Sequence, residues 1–169
     1  MSKPALPTYP AYYEKYINLV PGDDLRVAFS IQRPLIDSFL ATIDEAKSDH
    51  AYAPGKWTLK ELLQHVIDTE RIFAYRALCF SRKEKAALPG FDENEYIENA
   101  HAGSRSWKNL CEEFLAVRKT TEILFDSFSD EMISLSGNAN NNPITVNALG
   151  FIILGHFYHH KKVAEERYL

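Results

Sequence analysis

Apolar residues recur at spacings of three and four over four long stretches of this chain. In the first, about residues 23–46, Leu25, Phe29, Gln32, Ile36, Phe39 and Ile43 fall on one helical face. Asp23 or Asp24 can cap its start, and Pro34 inside it removes a hydrogen bond and should kink the axis. The second stretch, about 58–82, opens on Thr58 and Glu61, the spacing of a capping box. Leu62, His65, Thr69, Ile72 and Arg76 share one stripe of it, and Leu59, Leu63, Val66, Phe73 and Leu78 widen the apolar side. The third, about 104–128, offers Trp107, Leu110, Phe114, Val117, Leu124 and Phe128 to a core, with a short helix near 92–100 ahead of it. The fourth, about 145–166, starts at a capping Thr145 and lines one face with Leu149, Ile153, His156, His160 and Val163.

Loop compositions separate these stretches: residues 1–22 with four of the eight prolines, 48–57, 86–104, and 134–143 with its run of asparagines. No segment alternates cleanly between turn signals, so no strand is expected. Four helices of some twenty residues predict an all-α four-helix bundle, a single domain over 1–169 with 1–22 as an N-terminal extended segment. The joins at 46–58 and 128–145 are long enough to be crossover connections.

Composition narrows the function. The chain has 169 residues, 46% hydrophobic and 25% charged, an ordinary globular balance. Lys plus Arg number 19 against 23 Asp plus Glu, a formal net charge of -4. A protein that grips phosphates usually shows a basic excess or stripe, so no nucleic-acid partner is expected. Cys79 and Cys111 form no CxxC pair and no disulfide framework, and read as reduced thiols. Prolines at 4, 7 and 10 interrupt the first residues where a signal peptide needs a continuous apolar run. The longest apolar stretch, Ala148 to Leu154, falls well short of the about 20 residues of a membrane span. A cytoplasmic protein with no membrane partner is the expectation.

The chemistry concentrates in histidines. His156 and His160 stand four apart, about 6 Å along a helix and about 40° around it, so both rings can reach one ion. They share a face with Leu149, Ile153 and Val163, and an inward polar group must be paired or bound. His65 faces inward on the second helix in the same way. Three neutral imidazoles from two helices make the ligand set of a catalytic zinc-type site, and nickel, iron or manganese suit it too. On residues alone, histidines hydrogen-bonded within a packed core remain the alternative, because the spacing does not make helices two and four neighbours. His159 is a candidate outer donor; His50 and His101 fall in loops. Glu98 and His101 are the sole Glu-x-x-His pair, so a di-iron bundle has no second motif. No zincin, P-loop, dinucleotide or Gly-x-Ser-x-Gly motif is present.

The run from Pro54 through Trp57, Thr58, Glu61 and Leu62 to His65, with the distant Gly155–His156–Phe157–Tyr158–His159–His160, resembles the DinB/YfiT-like superfamily over nearly the whole chain. The resemblance implies a four-helix bundle with a crossed connection and a frequent homodimer. It also implies a divalent metal, zinc or nickel first and iron or manganese next, on His65, His156 and His160. One departure stands out: Lys161, Lys162 and Val163 follow His160, where many members carry a Gly-Gln pair.

The resemblance includes hydrolases and low-molecular-weight thiol S-transferases or isomerases, so a small-molecule substrate, such as a small thiol, is expected. Neutral ligands leave the metal its full charge, which favours an anion beside it. Either chemistry wants a proton acceptor. Asp68, one turn after His65, is the candidate catalytic residue, and Glu61, one turn before, is already used in capping. The competing reading is a non-catalytic metal-binding or dimeric interaction protein with a structural or vestigial site. Trp57 suits either a pocket wall or a core position, and Tyr9, Tyr12, Tyr13 and Tyr16 can pack on the bundle or on a second subunit.

Overall fold

The computed structural model describes residues 2–169. Four long helices carry the fold: α2 (Leu25–Leu40), α4 (Leu59–Ser81), α6 (Trp107–Asp126) and α8 (Val146–Arg167). Short ones fill the joins: α1 (Glu14–Ile17), α3 (Glu45–Ser48), α5 (Glu93–Ala100) and α7 (Asp130–Ser134). Each long helix starts on a side chain that satisfies orphan N–H groups. Asp24 accepts from the Val27 N–H, Ser106 from Asn109, and Thr145 from Ala148. Thr58 and Glu61 close the full capping box on α4, leaving Glu61 occupied there.

Helix α4 lies between α6 and α8, and α2 touches α6 and α8 from the opposite corner. Consecutive long helices α2 and α4 are therefore diagonal, as are α6 and α8. The segments 41–58 and 127–145 cross the ends of the bundle, which is the crossed arrangement expected. This order has one consequence for chemistry: it makes α4 and α8, the two histidine-bearing helices, neighbours.

Three local readings change. The first predicted helix over 23–46 ends at Leu40; a turn intervenes, and α3 restarts on the Asp44 cap. The helix runs on through Pro34, whose missing N–H costs one intrahelical bond. Residues 1–22 are not simply extended: Ala11–Tyr13 form a 3-10 turn leading into α1, and Tyr16, Ile17 and Val20 are buried. The expectation of no strand fails at one place. Strands β1 (Ser136–Ala139) and β2 (Asn142–Thr145) pair antiparallel, Ser136 with Thr145 and Ala139 with Asn142. Asn140 and Asn141 turn the hairpin at φ of 50° and 61°, the left-handed pair that a two-residue turn demands and asparagine tolerates. Strands of four residues are too short to show alternation, so composition gave only a loop.

The core falls into two apolar parts. One gathers Phe80, Phe125, Phe128 and Phe151 with the hairpin and α1. The other gathers Phe114, Phe157, Trp107 and the first turns of α4. A polar layer on α2, α4 and α6 adjoins both. Arg118, 3% exposed, donates through Nε and Nη2 to both carboxylate oxygens of Glu70 at 2.9 and 2.8 Å. Its Nη1 donates to Gln32, whose Nε2 donates to the Leu154 carbonyl at 3.0 Å. A buried guanidinium is tolerable here because a carboxylate answers it in a bidentate pair.

Candidate metal centre

The inward stripe of α4 delivers His65, and the inward stripe of α8 delivers His156 and His160 one turn apart. His65 Nε2 and His156 Nε2 lie 3.0 Å apart, as do His156 Nε2 and His160 Nε2. All three ligand atoms fall within 4.8 Å of one another. Imidazole nitrogens at about 2.0–2.1 Å from a tetrahedral ion stand about 3.3 Å apart, close to the two 3.0 Å spacings, while the third pair, His65 and His160, is wider and closes by small ring rotations when an ion binds. His65 and His156 are 9% and 6% exposed.

Hydrogen bonding among the rings does not account for this convergence. A neutral imidazole nitrogen carries either one proton or one lone pair, in the ring plane. His156 Nε2 meets two ring nitrogens at hydrogen-bond distance, so one atom would have to serve both. A cation accepts all three lone pairs at once. Burial also holds the rings in the form a metal needs. Desolvation is the first cause in each case: it brings His65 down to about 4 and pushes His156 and His160 well below the ordinary imidazole range of 6.5. Neighbouring imidazoles reinforce the shift, and Glu93 opposes it at His65. The residues present therefore fit a divalent ion in donor type, spacing and protonation.

A cavity of about 440 Å³ opens beside the cluster, with His65 and His156 in its wall. Thr69 and Arg76 from α4, Tyr12, Tyr13 and Tyr16 from the N-terminal turns, Glu93 from α5, and Asn140 and Asn142 from the hairpin line it further. Gly155 brings the tyrosines there. A Cβ on Gly155 would sit 2.0 Å from the Tyr16 carbonyl oxygen, so only glycine lets α1 press onto α8. Tyr16 then packs edge-on against His156 and His159, with ring centroids 5.5 and 5.2 Å away. Its hydroxyl meets that of Tyr12 at 3.4 Å, and burial followed by that contact raises its pKa. Trp57, half-buried, covers His65 with ring centroids 5.0 Å apart; it is not in the cavity wall.

The sequence candidates separate here. His65, His156 and His160 come together. His159 stays outside the trio, half-buried between Tyr16 and His160. His50 is exposed beside Tyr168, and His101 is the left-handed cap of α5. Asp68 is not brought to the cluster. Three residues past His65, it turns to another side of α4, accepts from Gln64 Nε2 at 2.9 Å, and lines a separate cavity with Arg71, Glu95 and Arg105. Burial raises its pKa there.

Sequence reasoning passed over Thr69, Arg76 and the hairpin asparagines as site residues. A polar series His65, Thr69, Arg76 along an otherwise apolar stripe is the signal that marks two of them. Among the described residues no helix is long and apolar enough to cross a membrane.

Comparison with known proteins agrees with this architecture. YfiT from Bacillus subtilis, described as a probable metal-dependent hydrolase with an unusual four-helix bundle topology, superposes with a TM-score of 0.71 at 15% identity. The match covers 97% of this chain and 92% of YfiT. The mycothiol-dependent maleylpyruvate isomerase superposes with a TM-score of 0.62 at 15% identity, over 90% of this chain and 60% of that one. At such identity the likeness is one of fold. No curated protein sequence matches the chain. The family model described as the DinB superfamily matches residues 28–164, from the first core turns of α2 to Ala164 beyond the paired histidines of α8. With its diagonal helix order and its three histidines on adjacent helices, this chain belongs to the DinB superfamily.

Proposed function

We propose that the protein is a metal-dependent enzyme acting on a small molecule, with a divalent ion held by His65, His156 and His160. The observation that carries this is the convergence of three imidazoles held neutral, two of them buried in the wall of a 440 Å³ cavity and the third half-buried beside them. That volume suits a small organic substrate. Three protein ligands define a catalytic rather than a structural donor set, since structural sites close with four. A divalent ion there supplies Lewis acidity, lowering the pKa of a water or thiol that reaches it.

Hydrolysis and transfer of a low-molecular-weight thiol are the two chemistries that fit. The names of the structural neighbours lend support to each. Zinc and nickel are the leading metals, with iron and manganese next.

This chain's own residues do the rest. Tyr12, Tyr13, Tyr16 and Phe73 give the substrate apolar and aromatic walls that exclude water. The Tyr16 hydroxyl, whose pKa is raised, stays protonated and can donate to a developing oxyanion in the cavity. Thr69 Oγ1 is buried without a partner among the described residues and points to a ligand as its acceptor or donor.

Elemental analysis of untagged protein tests the reading, with His156→Ala in parallel. One equivalent of divalent metal per chain, lost in the variant, is the expected result. Absence of metal after reconstitution with zinc, nickel, iron and manganese would remove the metalloenzyme reading.

A further inference from the structure

Two arginines are buried in this protein, and only one has a counter-charge. Arg118 is answered by Glu70 in a bidentate pair. Arg76 is 4% exposed, yet among the described residues no carboxylate pairs with it. Its Nη2 donates to the Pro89 carbonyl at 2.7 Å, and its guanidinium lies over the Phe73 ring at 5.2 Å. Among the described residues its guanidinium makes no other hydrogen bond, and its remaining N–H groups are not sealed in packed protein but open to the cavity. Burying a charge without a partner is costly, and an arginine cannot escape by releasing its proton. Arg76 lines the same cavity as His65 and His156.

We infer that Arg76 is the anion receptor of this cavity, binding a carboxylate or phosphate group at the end of the substrate remote from the histidine cluster. The inference rests on the proposed function for what meets the other end. Arg76 follows His65 by eleven residues, about 16 Å along the axis of α4. Side chains on one helix all lean toward its N-terminus, so the offset is nearly kept, on the order of 15 Å between the two ends.

The intervening wall is Thr69 on α4, Phe73, and the Tyr12, Tyr13 and Tyr16 rings. The ligand class is therefore an elongated molecule: an anionic head on Arg76, a largely apolar or aromatic-compatible middle, and a reacting group at the cluster. Glu93 also lines the cavity and is exposed, and Lys15 stands over the Tyr12 and Tyr16 rings. The Glu93 carboxylate would repel an anion on its side, which favours a ligand oriented with its head on Arg76.

Calorimetric titration of metal-free protein with octanoate, octylphosphonate and neutral octanamide tests the receptor without any metal. The wild type should bind an anion about tenfold or more tightly than the amide. Arg76→Gln should erase that preference while leaving the amide unchanged, and Arg76→Lys should restore part of it. Preference for octanoate over octylphosphonate assigns a carboxylate head, and the reverse assigns a phosphate.

An equal anion preference in wild type and Arg76→Gln, with both folded by circular dichroism, would overturn the inference, as would no anion preference in the wild type. A second arm compares 8-mercaptooctanoate with octanoate on zinc-loaded protein. Failure of the thiol to gain affinity there counts against the metal reading and leaves the Arg76 receptor standing.

Discussion

Acidification of the metal-free protein should expose the histidine cluster as a stability term. In the unfolded chain each imidazole titrates near its ordinary value of 6.5, while in the fold His65 sits at about 4 and His156 and His160 lie well below 6.5. The folded values are depressed, so the stabilising contribution is present above about pH 6.5 and is lost as pH falls toward the folded values. Between pH 7.5 and 5.5 the unfolded state takes up most of one proton per histidine, and the folded cluster takes up almost none. Each histidine then contributes about 1.4 kcal/mol of lost stability, and three contribute about 4 kcal/mol.

His159 is lowered too, chiefly by burial, but it is present in both the wild type and the reference variant below, so its share cancels in the comparison. Asp24, Glu45, Glu84 and Glu113 are lowered carboxylates that lose their contribution mainly below about pH 5. Asp68 is raised and works weakly in the opposite direction. Urea unfolding of metal-stripped protein at the two pH values measures the loss. The triple variant His65→Gln, His156→Gln, His160→Gln supplies the reference. The wild type should lose about 4 kcal/mol more than the variant. A difference under about 1 kcal/mol would refute the picture of three imidazoles held neutral by the fold.

Three perturbations test the frame around the site. Gly155→Ala places a Cβ against the Tyr16 backbone, where a helix turn rather than a flexible side chain must move, and should destabilise by about 3 kcal/mol. Its thermal midpoint falls, and loss of Tyr16 packing on His156 should also weaken zinc retention against a chelator. Arg118→Leu leaves Glu70 buried without its cation and should cost about 3–5 kcal/mol in urea unfolding, whereas adding Glu70→Leu should recover most of it. Zinc added to wild-type metal-free protein should raise the thermal midpoint with concentration, and His156→Ala should show no such rise.

Much of the frame is legible in the chain. The Thr58–Glu61 box, the Asp24 and Thr145 caps, and the apolar spacing of three and four specify α4, α6 and α8 to within a few residues and the start of α2, though not its end at Leu40, because helix periodicity and end chemistry are local. The inward pointing of His65, His156 and His160 is legible for the same reason. The hairpin and α1 are not, because each is too short to show a period. They are held by contacts distant in sequence: the Thr145 N–H donates to the Thr8 carbonyl, and Gly155 admits the Tyr16 backbone.

Tertiary structure alone decides that α4 and α8 are neighbours, since helix order around a bundle depends on how the crossing segments 41–58 and 127–145 lie. It also separates residues that the sequence leaves alike. Asp68 and Thr69 are adjacent in the chain, yet a helix turns 100° per residue, so one meets Gln64 and the other the cavity. Arg76 and Arg118 are both buried, and only the fold gives one a carboxylate and the other an open cavity. Local sequence fixes what each helix presents; the packing of helices against one another fixes what it is presented to.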